Sequence, residues 1–136
     1  MNKLLDAFKT LSINKKDLTD KIGEDLYNID CKKPEQIRTS DVINTISSFL
    51  NHSITKKQLL DWVNVIWFTD LFEFKEDDLE SIVSVLQVLE TMDEDDVSIS
   101  DKELLDMIVA LQNNKEYWII VDYSLKIRHE FQINVE

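Results

Sequence analysis

Gly23 and Pro34 are the only glycine and the only proline in 136 residues. Tight hairpins need positive φ, which glycine supplies without steric cost, and phosphate-cradling loops need several glycines close together. An all-β sandwich or a nucleotide-binding α/β sheet would have to be built here almost without that residue. Helices joined by polar turns make no such demand, so a mainly helical fold is expected. With 43% hydrophobic and 31% charged residues the chain has a globular composition. A chain of this length buries roughly two thirds of its unfolded surface, enough for a core without staples. The simplest organisation is one domain over 1–136, helical through 1–112 and strand-like over 117–135.

Apolar spacing and capping residues place the helices. Leu4, Leu5, Phe8 and Leu11 recur at helical spacing. Asn14 can cap a second helix bearing Leu18, Ile22 and Leu26, with Asp17 near its positive end. Asn28 to Thr39, with Pro34 and paired lysines, reads as a loop. Thr39 or Ser40 then opens a helix facing inward through Val42, Ile43, Ile46, Phe49 and Leu50. Two capping boxes follow, Thr55 with Gln58 and Ser100 with Glu103, each preceding an apolar run. Between them, carboxylates from Glu76 to Asp78 load the start of a helix whose expected core face is Leu79, Ile82, Val83, Leu86 and Leu89. From Val121 to Val135 every even position is polar and every odd one apolar or His129, the alternation of a half-buried strand or a bent strand pair, with a helix through Tyr117, Val121, Leu125, Arg128 and Phe131 as the alternative. The expected fold is a small bundle of five to six helices with a C-terminal β element, mainly α within the α+β class.

Charge is distributed unevenly. Asp61 to Asp106 holds fifteen carboxylates against Lys75 and Lys102, whereas the whole chain carries −12. Such a surface repels phosphate backbones and attracts basic proteins. The aromatic residues Trp62, Trp67, Phe68, Phe72 and Phe74 lie inside the same stretch, so it is expected to fold. Trp62, Val63 and Ile66 share an apolar stripe and belong to the core. From the cluster that follows, Phe72 and Phe74 are the expected apolar anchors of an interface. The expected partner-binding carboxylates are Asp77, Asp78, Glu80, Asp93, Glu94, Asp95, Asp96 and Asp101.

No catalytic motif is visible, and neither an enzyme activity nor a cofactor is expected. A calcium loop starting at Asp93 fails at Val97, at Ser98 where glycine should make the turn, and at Leu104 where glutamate should close it. Cys31 is the single cysteine, which excludes an internal disulfide and suits a reducing compartment. Asp17 to Gly23 faintly matches the first helix and turn of a helix-turn-helix, but Glu24 and Asp25 follow where basic contacts should be. Nucleic-acid binding is therefore not expected. Charge interrupts the opening residues too soon for a signal peptide, and no run of about 18 apolar residues exists, so a cytoplasmic protein is expected. The Lys, Asn, Ile and Asp bias suggests a bacterial source.

Ile46-Ser47-Ser48-Phe49-Leu50, then Ser53 to Trp62 with its cap before Leu59 and Leu60, then apolar helices at Leu79 to Leu89 and Leu104 to Leu111, resemble small acidic helical bacterial proteins of uncharacterised or toxin-immunity type. The resemblance spans Ser40 to Leu111. It departs from the family pattern near Asn51, where a glycine is usual. It implies toxin neutralisation or another protein–protein task and transfers no functional residues. The expected function is to bind and neutralise a basic partner, most plausibly a cognate nuclease-type toxin. The alternatives are a phage-type inhibitor that mimics nucleic acid, or an adaptor.

Overall fold

A computed structural model describes residues 2–94 and 97–117. Six α-helices appear in the order α1 (Asn2–Lys9), α2 (Lys15–Ile22), α3 (Thr39–Leu50), α4 (Lys56–Phe68), α5 (Leu79–Leu89) and α6 (Asp101–Gln112). Two short strands, β1 (Glu35–Ile37) and β2 (Phe72–Phe74), interrupt them. The architecture is mainly α with a small parallel sheet. Among the described residues no helix is long and apolar enough to cross a membrane.

Helix starts follow the local chemistry. The Asn14 side chain accepts from the Asp17 amide at 2.8 Å to open α2, which Gly23 closes in the left-handed region at φ 78°. At α4 both halves of the capping box form. Thr55 Oγ1 accepts from the Gln58 amide at 3.1 Å, and Gln58 Oε1 accepts from the Thr55 amide at 2.7 Å. At α6 only half of it forms, since Glu103 Oε1 takes the Ser100 hydroxyl proton instead of reaching the backbone. After α3 the chain turns through His52 at φ 67°, a conformation that glycine adopts more easily.

The core is assembled mainly by α3 to α6. Leu59, Trp62, Val63 and Ile66 of α4 are buried in one core with Val42 and Ile46 of α3 and with Leu104, Met107 and Leu111 of α6, which packs along α3. On α5 the buried residues are Ser81, Ile82, Val85, Leu86 and Leu89, so the helix is rotated from the expected face. Leu79 is 42% exposed and Val83 only half-buried. Burial of Ser81 explains the rotation: its hydroxyl meets Asn114 Oδ1 at 2.9 Å and Asp78 O at 3.0 Å, so a polar residue can occupy the interior fully bonded.

The sheet comes from segments that alternation did not mark. Glu35, Gln36 and Ile37 pair in parallel with Phe72, Glu73 and Phe74, inside the expected loop from Asn28 to Thr39. Pairing turns Phe72 and Phe74 to the same face as Ile37, where Phe72 meets Phe8 of α1 at 6.0 Å between ring centres. Phe72 is thus 6% exposed and part of the core. Its expected role as an interface anchor is corrected accordingly. The expected C-terminal strand, Val121 to Val135, lies outside the described residues.

Lys9 joins α1 to this sheet. Its ammonium group donates to Glu35 Oε2 at 2.7 Å and Gln36 O at 3.2 Å, with Asp41 Oδ2 3.9 Å away. Its backbone carbonyl accepts from Trp62 Nε1 at 3.1 Å. Burial lowers the Lys9 pKa, but the Glu35 hydrogen bond and the charges of Asp41, Glu35 and Asp6 outweigh it, leaving the pKa above its ordinary value.

Candidate interaction surface

The candidate carboxylates occupy the connections around α5 and α6. Glu76 to Asp78 form a single 3-10 turn that runs directly into α5, and Glu90 to Asp93 form another at its far end. Beyond α6, Asn114 donates to Asp77 O at 2.8 Å and meets Ser81 at the start of α5. Tyr117 N then donates to Ser84 Oγ at 2.8 Å. Helix α6 therefore returns along α5, with its C-terminal end at the beginning of that helix.

This path divides the acids into two groups. Asp77, Asp78 and Glu80 lie where α5 begins; Asp93 and Glu94 lie where it ends. An eleven-residue helix separates them, a length of about 16 Å at 1.5 Å per residue. Asp101 opens α6, a twelve-residue helix whose other end meets Asp77, and so belongs away from the first group. Asp95 and Asp96 are outside the described residues. At physiological ionic strength the screening length is about 8 Å, so the two groups act largely as separate centres of charge.

Asp77, Glu80, Asp93, Glu94 and Asp101 are exposed, and among the described residues none of them forms an ion pair. Lys102, one of two bases in the acidic stretch, is taken by Asp106 at 2.9 Å. Asp78 differs: it is half-buried, and its Oδ2 accepts from the Thr39 amide at 3.1 Å at the start of α3. A carboxylate beside a helix N-terminus stabilises that terminus. Asp78 is engaged in the fold, which weakens its candidacy as a partner contact.

Phe74 is half-buried and joins two other rings. Trp67 stands 6.1 Å from Phe74 and 6.1 Å from Phe68 between centroids. Phe68, the last residue of α4, is 51% exposed and is the most accessible of the three rings. Its position at the helix end, where the chain turns away before β2, is the signal that separates it from Phe72. Leu105 and Val109, one turn apart on α6, are also more than half exposed, outside the expected site.

Two concave features among the described residues lie elsewhere. Clefts of about 190 Å³ and 440 Å³ beside α2 and α4 share Asn14, Lys15, Gln58 and Asp61. Of the residues the clefts share, Asn14 and Gln58 cap helices, and Asp61 pairs with Lys57 at 2.8 Å. The segment after Gly23 forms only a single 3-10 turn, Leu26–Asn28, and no α-helix follows before Thr39. A recognition helix is therefore missing from the place a helix-turn-helix requires.

No protein-family model, curated protein or solved structure matches this chain.

Proposed function

We propose that this protein binds a basic partner protein and neutralises it, in the manner of a bacterial cytoplasmic immunity protein acting on a nuclease-type toxin. The observation that carries the reading is a set of exposed carboxylates, at both ends of α5 and at the start of α6, that form no ion pair among the described residues. Like charges at this density oppose folding. Groups that remain hydrated and unpaired retain their full charge for an external cation. The two groups would steer a cationic protein toward the α5–α6 surface. The Trp67, Phe68 and Phe74 rings would supply the slowly dissociating apolar contact. A nuclease suits this chemistry because its substrate-binding face must be basic to hold phosphates.

Affinity capture from the source cell at low salt tests the proposal when followed by an activity assay on what is captured. A basic protein with nuclease activity, inhibited at one-to-one stoichiometry by the added chain, is the expected result. A captured partner whose activity is unaffected, or capture of acidic proteins alone, would overturn it.

A further inference from the structure

We infer that the outer edge of β2 accepts an added strand, and that the strand it fits is a basic extended segment of the partner protein. This rests on the reading of a basic partner given above and specifies how that partner docks. The parallel register aligns Glu35 with Phe72 and Ile37 with Phe74. The Glu35 amide donates to Leu71 O and the Lys75 amide to Ile37 O, both at 2.9 Å. With that alternation, the amides and carbonyls of Phe72 and Phe74 point away from β1. Among the described residues, these four groups have no hydrogen-bond partner. On the opposite edge of the sheet the outward carbonyl is already taken, because Lys9 Nζ donates to Gln36 O at 3.2 Å.

Main-chain amides and carbonyls left without a protein partner at a strand edge are templates for pairing with another chain. An incoming strand would satisfy them, as in strand addition to other sheet edges. Charge decides what kind of strand. Asp70, Glu73, Glu76 and Asp77 are all exposed along this short stretch, and Lys75 is its one base. A second copy of the chain would bring the same carboxylates to the same edge, and like charges on adjacent strands repel. Lys or Arg at alternate positions would instead lie beside Glu73, while apolar residues between them would meet the Phe74 side of the sheet, near Trp67.

Amide exchange of the full chain, followed by NMR with a short peptide of alternating lysine and valine, tests the inference. Binding is expected to slow exchange at Phe72 and Phe74 by about tenfold or more, and Glu73→Lys is expected to weaken the peptide by about tenfold. A peptide of equal charge with N-methylated backbone amides cannot donate to the edge carbonyls and serves as the control. If both peptides bind equally without protecting Phe72 and Phe74, the edge inference fails while the basic-partner reading stands. If neither binds, the edge inference fails, and capture of a basic nuclease decides the broader reading separately. Protection of the two amides in the free protein overturns the inference too: independent of concentration it means the edge is already covered within the chain, and rising with concentration it means a second copy fills it.

Discussion

Replacing Trp62 with alanine is expected to remove about 3–5 kcal/mol of folding stability, the range for a large aromatic side chain deleted from a core. Trp62 is 1% exposed. It packs among the buried residues of α4, and its indole nitrogen donates to the Lys9 carbonyl at the end of α1, 53 residues away. The substitution removes the packing volume and leaves that carbonyl without its donor. Since domains of this size are stable by about 5–15 kcal/mol, the variant should approach the unfolding threshold at room temperature. Trp62→Phe keeps most of the volume and is expected to cost less, chiefly through the lost hydrogen bond. Urea unfolding followed by circular dichroism measures both. A loss below about 1.5 kcal/mol for the alanine variant would show that α1 does not depend on α4 in this way.

Lys9→Met is expected to cost about 2–3 kcal/mol, although methionine preserves much of the apolar stem. The Lys9 side chain is 13% exposed, against 22% for Glu35 and 18% for Asp41. Without the ammonium group, these two carboxylates face one another across a poorly hydrated site, and Gln36 O loses its donor. Replacing Glu35 by glutamine in the same chain removes one of the stranded charges and is expected to recover part of the loss. The pH dependence follows from the raised Lys9 pKa. A cation stabilised by folding contributes fully below its unfolded value, near 10.5, and loses that contribution as pH rises through the higher folded value. The stability gap between wild type and Lys9→Met should therefore be constant around neutrality and narrow in the alkaline region. A gap that narrows between pH 6 and 8 would assign it to some other group.

Much of the helical scaffold is legible because its signals are local. Asn14, Thr55 and Ser100 each act on an amide within the next turn, and their helices begin where those residues indicate. The sheet depends on Glu35 finding Phe72 across an intervening pair of helices, and three-residue strands are too short to show alternation. The burial of Phe72 is hidden from the sequence for the same reason, since pairing with β1 turns it inward. The face of α5 depends on Ser81 finding Asn114, an interaction that hydrophobic periodicity cannot register. Composition identifies the acidic stretch but not its arrangement. The division of Asp77 and Glu80 from Asp93 and Glu94 follows from the path of α5 and the return of α6.

Stopped-flow association with the captured basic partner, across ionic strength, probes the role of these carboxylates most directly. Wild type would be compared with Asp77→Asn/Glu80→Gln and with Asp93→Asn/Glu94→Gln, which leave the buried core untouched. Each pair of substitutions is expected to slow association about three- to tenfold at low salt, with little change in dissociation and convergence of all rates near 0.5 M salt. Association rates that ignore both the substitutions and the salt would contradict electrostatic capture of a cationic protein.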